Sequence, residues 1–421
     1  MDFQIKLISC SDIPPDTLSA AGALSCFEEK ASFELLEELT EEKIKLVIKE
    51  SFGRGHGSVG DQNFFSFSLK NVPRAFTFQV CQPSYLAHLQ QSLRRTKAQK
   101  IYTPDCFGKY EKKYSDLMQE VYLFYDKMIQ NKIPAEDSRY ILPLYVQTNI
   151  QTCGNSREFL HLYTMTENSK APSIVKKIVR EIITLAKQRS PNLFEDYGKN
   201  TEVLSWYPSA QLFAEKSKLF ESIIEKYSKE KTRYLEFKAD NLDIYDIVSR
   251  RNESELSLLK HVHFGTFCTF LTPMSLACFH QAIRQRTWDQ AVEPIYNAIE
   301  REKFVTPPSI QCSDFYEEYL EINKKLFEFY NTLISDGVPE SEAIGVVPHS
   351  LVVFDFIHIN GWNAIHSIGK RTCTKAQWEI RNIAKDISKI LSEKSRIFSE
   401  ICKPQCEIYG YCPERNPCRK F

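Results

Sequence analysis

Arginine, glutamine, serine and histidine gather in two short runs of this 421-residue chain, and their types suit the holding of an anion. In the first run Gln79 is followed by Gln91, Ser92 and Arg94, within QVCQPSYLAHLQQSLRR. In the second, HQAIRQR, His280 and Gln281 stand just before Arg284 and Arg286. Other candidates lie singly. His56 and Ser58 sit in GHGS, Arg139 in EDSRYILP, Asn155 opens NSREFLH, and Arg371 belongs to KRTCTKAQWEIR. A guanidinium presents planar, bidentate donors to a phosphate or carboxylate, a geometry that lysine only approximates. The same group, held in place, can stabilise negative charge that develops during a reaction.

Taken alone, each of these positions also has a structural reading. His56 and Ser58 could cap a loop-to-strand junction. Ser92 and Arg94, in LQQSLRRTK, could be a solvated helix end with a basic last turn. Arg284 and Arg286 could be surface charges at a spacing that does not share a helix face. Arg371 could pair with a neighbouring acid. Gln79 and Gln281 could be structural hydrogen-bonding groups.

The elements that must carry them can be read from periodicity. FQIKLIS (Phe3 to Ser9) and FFSFSLK (Phe64 to Lys70) alternate as strands, and RYLEFKA (Arg233 to Ala239) reads as a second opening strand. After Asp12, Pro14 and Pro15, a helix is expected over Ala20 to Glu29. Leu117, Val121, Phe124, Tyr125 and Met128 recur at helical spacing, as do Tyr319, Ile322, Leu326 and Tyr330. A strand follows each, VQTNIQTC and LVVFDFIH, and then a long helix, SIVKKIVREIITLAKQ and AQWEIRNIAKDISKILSEK.

The order helix, strand, helix therefore occurs twice, and the register persists. The offset grows only from 202 residues, Gln79 to Gln281, to 205, Pro143 to Pro348, and Asn155, His161 and Ala171 recur as Asn360, His366 and Ala376. The chain reads as a duplicated and fused domain. The expected division is an N-terminal repeat over 1–192, a helical connector over 193–231 ending in FAEKSKLFESIIEKYSKEK, and a C-terminal repeat with a cysteine-rich tail over 232–421. The expected fold class is α/β (α+β), each repeat a β-sheet packed with long helices and the two forming a pseudo-dimer.

Composition narrows the partners. Lys plus Arg and Asp plus Glu balance at 54 each, so no global field draws the chain to nucleic acid or to an anionic membrane. No apolar run approaches the roughly 18 residues of a spanning helix, and MDFQIKLISCSDIPPD lacks a secretory pattern, so a cytoplasmic protein is expected. Most of the 13 cysteines stand singly in apolar surroundings, as in a reducing compartment. Only Cys402, Cys406, Cys412 and Cys418 cluster, as C-x3-C-x5-C-x5-C, which departs from paired zinc motifs. Tail structure is expected there, and no metal.

Read as GHxS, QQSxR, HQxxRxR and AQWEIR, the motifs resemble those of the flavin-dependent thymidylate synthases, the ThyX family, in both halves. That family carries an RHR triplet, followed after seven residues by the serine of QQSQR, with GHxS upstream. The first half keeps His56, Ser58, Gln79, Gln90, Gln91, Ser92 and Arg94, but has Gln82, Pro83 and Ser84 for the triplet and Asp61-Gln62 where the family has Glu-His. The second half keeps Arg284 and Arg286 around Gln285, but has Pro294 and Tyr296 for the serine and arginine. Arg139 matches the family's nucleotide-binding arginine and faces Ile344 in the second copy. The family's catalytic arginine is Arg371 in the second half and Thr166 in the first.

The resemblance implies reductive methylation of dUMP to dTMP, with FAD as cofactor and NADPH and methylene-tetrahydrofolate as co-substrates. Gln79, Gln91, Ser92, Arg94, Arg139, Gln281 and Arg284 would hold dUMP. His56, Ser58, Asn155, His280, Arg284 and Arg286 would meet FAD, and Arg371 would be catalytic. The complementary losses imply one composite site per chain, and a homodimer imitating the family's tetramer. The alternative is a diverged paralogue that keeps a nucleotide, flavin or structural role.

Overall fold

The computed structural model describes residues 3–98, 100–196, 211–227, 231–238, 267–394, 398–399, 402–412, 414–415 and 417–418. The start of the second copy at residues 263–266, and 197–210 and 228–230 of the connector, lie outside them.

Alternation does produce strands. In β1 (Gln4–Cys10) and β2 (Phe65–Pro73) the pattern turns Phe65, Phe67 and Leu69 inward and Ser68 and Lys70 outward. With β3 (Ala87–Gln90) and β4 (Gln147–Gly154) they form a sheet of order β1-β2-β4-β3. The second copy repeats it. β5 (Arg233–Lys238), β6 (Phe267–Ser275), β7 (Asp289–Val292) and β8 (Val352–Asn360) lie in the order β5-β6-β8-β7. Every strand pair among the described residues is antiparallel, which selects α+β from the two classes expected. The first sheet slips register between Leu69 and Val72, where Asn71 takes a left-handed φ of 58° and its N–H donates to Asn149 Oδ1 at 2.9 Å.

The first helix, α1 (Pro15–Leu24), starts earlier than the expected Ala20, because Pro15 at its first turn favours the helix instead of breaking it. After β2 comes the short α2 (Arg74–Val80), then α3 (Glu111–Gln130), α4 (Ser156–Glu167) and α5 (Ser173–Lys187). The expected stripe on α3 holds for Val121, Phe124, Tyr125 and Met128, but Met118 takes the core place expected of Leu117. In the second copy α7 (Leu276–Ala282), α8 (Tyr316–Ser335), α9 (Gly361–Arg371) and α10 (Trp378–Lys394) follow the same order. Between the copies, α6 (Lys218–Tyr227) lays Ile224 on Leu271 and Phe354, so the connector's charged helix is a packed layer of the second sheet.

Packing divides the chain into two compact units, Met1–Glu215 with Pro307–His349, and Lys216–Thr306 with Ser350–Phe421. The first unit thus contains α8, from the second copy. There α3 and α8 pack together, with the rings of Tyr114 and Phe329 stacked at 6.3 Å and Phe124 edge-on to Phe315 at 6.3 Å. Beside them residues 142–145 run antiparallel to 345–349. Pro143 faces Pro348, Leu144 N–H donates to Val347 O at 3.0 Å and His349 N–H to Leu142 O at 2.9 Å. Pro143 and Pro348 are repeat counterparts, so these segments are related by a local two-fold axis. Glu120 and Lys325, also counterparts, form an ion pair of 2.7 Å on α3 and α8. Gly345 lies against the ring of Tyr145 with no room for a Cβ.

The second unit buries one carboxyl in its sheet. Asp355 on β8 is fully buried beside Thr272 of β6 and accepts from Gln290 Nε2 at 2.6 Å. Burial pushes it up to about 8 from 3.8, against the opposing effect of the Gln290 bond. No helix among the described residues is long and apolar enough to cross a membrane.

Candidate functional site

The GHxS loop and the start of NSREFLH meet in the first unit. Residues Gly57–Asp61 form a 3-10 turn, and Asn155 is the N-cap of α4, its Oδ1 accepting from Glu158 N–H at 3.0 Å. Asp61 joins the two motifs: Oδ1 accepts from Asn155 Nδ2 and Oδ2 from Arg157 Nη1, each at 3.0 Å. Below them Ser156 N–H donates to Asn63 Oδ1 at 2.9 Å, and Asn63 Nδ2 donates to Ser156 Oγ at 3.0 Å. His56 and Ser58 are exposed on this loop. A Cβ on Gly57 would come within 2.8 Å of Arg157 Nε, so the glycine lets the guanidinium lie across the turn. Arg157 was not singled out from the sequence. The signal was available, since it is the one cation in NSREFLH.

The second group forms where β3 ends. Gln91 continues the strand edge, donating to Asn149 O at 2.9 Å, and Ser92 then begins a turn whose carbonyl accepts from Arg95 and Thr96 N–H at 3.0 and 2.9 Å. The helix-end reading of LQQSLRRTK is therefore corrected. Its first half is spent on pairing with β4, and Ser92 and Arg94 project from the turn beyond. Arg94 Nε donates to Glu136 Oε2 at 2.7 Å, while the buried Arg139 Nε donates to the same residue's carbonyl at 3.2 Å. Glu136 so brings Arg94 and Arg139 together, with Ser92 Oγ accepting from Arg94 N–H at 3.3 Å. His349, in the same unit, donates from Nδ1 to Leu142 O at 2.6 Å. Burial first, then the Arg74 and Arg139 charges, push its pKa down to about 3 and keep the ring neutral.

The triplet positions differ between copies in a way that their partners explain. In the first, Gln79 is wholly buried on α2. Its Nε2 donates to Thr166 Oγ1 at 3.1 Å, its Oε1 accepts from Gln82 Nε2 at 3.2 Å, and Thr166 Oγ1 donates to Leu162 O at 2.6 Å. This is a neutral chain running from the triplet position Gln82 to Thr166, the position of the catalytic arginine in the related pattern. In the second copy the corresponding turn, between α7 and β7, carries Arg284, Gln285 and Arg286, and Arg371 is the last residue of α9. With its amide oxygen turned to the guanidinium, Gln285 accepts from Arg371 Nε at 2.9 Å and from Nη2. One turn earlier on α9, Ser367 Oγ accepts from Trp288 Nε1 at 2.7 Å, fixing the same turn to the same helix. Gln281 Nε2 faces Gln377 Oε1 at 3.5 Å, the limit of a hydrogen bond, and His280 is buried on α7. A charged contact in one copy thus replaces a neutral one in the other.

Comparison with known proteins adds to this geometry. The family model described as "Thymidylate synthase complementing protein" matches the chain twice, over residues 6–192 and 208–395. The chain is similar to a flavin-dependent thymidylate synthase of Sulfurisphaera tokodaii, 29% identical over 204 residues, covering 47% of this chain and 79% of the relative. Another, from Geobacter sulfurreducens, is 26% identical over 191 residues, covering 44% and 82%. Among solved structures, the UMP/dUMP methylase PolB from Streptomyces cacaoi bound with 5-Br dUMP is 13% identical with a TM-score of 0.40, covering 47% of this chain and 95% of that one.

Proposed function

From the premise that this chain belongs to the thymidylate synthase complementing protein family, whose model accounts for both halves of it, we propose that it methylates dUMP reductively to dTMP as a flavin-dependent thymidylate synthase. Methylene-tetrahydrofolate is the proposed carbon donor, NADPH the reductant and FAD the cofactor. The observation that carries this reading is the gathering of retained cationic groups where each copy keeps its motif: Arg94 with Arg139 through Glu136 in one, and Arg371, bonded to the Gln285 that lies between Arg284 and Arg286, in the other. We assign one composite site to each chain, on the strength of these complementary retentions. Repeats over 1–192 and 232–421 joined by 193–231, and a cytoplasmic homodimer, complete the proposal.

In this assignment Ser92, Arg94 and Arg139 bind the dUMP phosphate, assisted by Gln91. A dianion draws full benefit from two planar cations, each charge-assisted bond contributing roughly 1.5–3 kcal/mol. The flavin assignment is supported by the exposed His56 and Ser58 of the GHxS loop and by Arg284 and Arg286, which sit in a turn rather than on a buried helix. His56, Ser58, Arg284 and Arg286 would hold the flavin, with Asn155 and His280 positioning them and Gln79 and Gln281 supporting the triplet turns. When bound, FAD supplies the reducing equivalents, so no thiol nucleophile is required. Arg371 stabilises the negative charge that builds on the uracil ring as C5 becomes nucleophilic, and Gln285 orients it.

A second reading, a paralogue that retains nucleotide or flavin binding without the synthase reaction, is favoured by the neutral Gln82–Gln79–Thr166 chain in the first copy. Growth of a thymidine-requiring host without thymidine separates the two. The intact gene should rescue it, and Arg371→Ala and Ser92→Ala should not. Rescue that survives both substitutions sinks the site assignment, and no rescue by the intact gene favours the paralogue.

A further inference from the structure

A cavity of about 320 Å³ lies within the second unit, between α10 and the tail. Three segments wall it. The turn after α9 contributes Thr372, Cys373, Thr374 and Lys375, α10 contributes Lys385, Ser388 and Lys389, and the tail supplies the rest between Cys402 and Cys418. These walls are held together. Arg381, one turn before Lys385 on α10, donates from Nη1 to Thr374 O at 2.9 Å and to Ala376 O at 3.1 Å, and Ser388 Oγ donates to Cys402 O at 2.5 Å. In the tail, α11 (Gln405–Tyr409) ends at Gly410, whose φ of 76° turns the chain before Cys412.

The two copies differ in charge at this place. At the offset of 205 residues Lys385 corresponds to Arg180 of α5, Thr372 to Glu167 of α4, and Lys389 to Thr184. In the first copy the cation is paired with the acid: Arg180 Nε donates to Glu167 Oε1 at 2.8 Å and Nη2 to Oε2 at 2.6 Å. The second copy has a threonine for that acid, its Oγ1 donating to Ile368 O at 2.7 Å, and a further lysine one turn along α10. A neutral set of three side chains has thus become one with two positive charges. Neither Lys385 nor Lys389 has a carboxylate partner among the described residues. Like charges at i and i+4 repel, so an anion placed over the pair relieves both.

We propose that this cavity binds a diphosphate group, as carried by a nucleoside di- or triphosphate. An ammonium is a point charge on a flexible stem and suits phosphate oxygens, whereas a carboxylate gains most from the planar fork that Arg180 has and Lys385 lacks. Side chains at i and i+4 start about 5–6 Å apart, a separation that the stems can close onto two adjoining phosphates. Lys375 and Lys403 add to the field against Glu407 and Glu414, and a cleft lined mainly by one sign of charge concentrates the other. The buried Cys402, with Cys406 and Pro404, gives the organic part of the ligand an apolar wall. The volume stands at the lower end of small-molecule sites. None of the residues assigned above to dUMP or FAD lines this cavity, so the site does not depend on that assignment.

The test is isothermal titration calorimetry of the full chain as purified, at low ionic strength, with inorganic pyrophosphate, ADP and adenosine in separate titrations. Pyrophosphate and ADP should bind and adenosine should not. Tighter binding of ADP identifies a nucleotide as the ligand, and equal binding identifies the free diphosphate. Lys385→Ala and Lys389→Ala should each weaken binding about tenfold to a hundredfold, the effect of one charge-assisted bond. Thr372→Glu, which restores the carboxylate of the first copy, should weaken it at least as much, while Arg180→Ala should leave it unchanged. Far-UV circular dichroism shows whether a variant has stayed folded. The proposal is overturned if the wild-type chain binds neither ADP nor pyrophosphate, if adenosine binds as tightly as ADP, or if binding is undiminished in the folded lysine variants.

Discussion

Removing the contact between Arg371 and Gln285 tests the proposed chemistry from two sides. Arg371→Ala deletes a cation aimed at developing charge, and loss of one such preorganised donor costs about a hundredfold to a thousandfold in kcat, or roughly 2.7–4 kcal/mol. Gln285 touches Arg371 through one amide oxygen, 2.9 Å from Nε and also bonded to Nη2. Gln285→Ala removes only the support. A charge-assisted hydrogen bond of about 1.5–3 kcal/mol sets its ceiling at about tenfold to a hundredfold. The double variant is decisive, because a group that acts only through Arg371 has nothing left to lose once Arg371 is gone, so the losses should not multiply. The assay is release of the C5 proton of dUMP by the purified, flavin-loaded chain, with dUMP affinity read separately from the perturbation of the flavin spectrum. Arg371→Lys should recover part of the activity, since a point charge remains but the fork is lost. The reasoning fails if Arg371→Ala stays within about threefold of wild type, the smallest change that the electrostatic argument excludes, or if the two single losses multiply.

Other consequences are simpler to measure. Arg94→Ala should weaken dUMP binding about tenfold to a hundredfold, the worth of one charge-assisted bond, whereas Glu136→Gln, which frees Arg94 from its 2.7 Å partner, should tighten it. Thr166→Val keeps the buried shape but removes the acceptor of Gln79 Nε2, and the lower denaturant midpoint should correspond to about 1–3 kcal/mol. Gly345→Ala drives a methyl into the Tyr145 ring and should destabilise the first unit by about 1–3 kcal/mol, seen as a lower melting temperature. Asp355 gives a pH dependence. Its folded carboxyl titrates at about 8 against 3.8, so the folded state holds a proton that the unfolded chain releases. The resulting stability is fully present below 3.8 and is lost as pH rises through about 8. Asp355→Asn should flatten the fall in melting temperature between mildly acidic and mildly alkaline buffer, and an unchanged slope counts against the buried, protonated carboxyl.

The parts of the fold that follow a period were legible. Strict alternation marked β1 and β2, and apolar spacing marked α3, α8, α5 and α10, because one buried face dictates each pattern. Antiparallel pairing was open, since alternation on one strand does not tell which way its neighbour runs. LQQSLRRTK misled because β3 is a four-residue edge segment, too short to show a period, and the polar residues after it serve a turn. At the site, Asn155 and Asn360 are read by the fold as helix caps, accepting from Glu158 and Asn363 N–H, a role visible in the spacing of Asn155 and Glu158. Gln79 looked like a substrate group from its motif, and the structure gives both ends of its amide to core partners. The role of Gln285 was beyond reach, because it acquires its meaning from Arg371, a residue distant in sequence that tertiary folding brings alongside.

The ion pair between Glu120 and Lys325 carries a historical consequence. In a dimer of identical subunits, a position beside the two-fold axis confronts its own copy, so a carboxylate there meets a carboxylate and an ammonium meets an ammonium. Only a heteromeric pairing can place opposite charges at one such position. Duplication makes every symmetric contact into two independently mutable sites, and Glu120 opposite Lys325 at 2.7 Å is a combination that selection could reach only after that event. The same freedom lets one copy give up an arginine that the other retains.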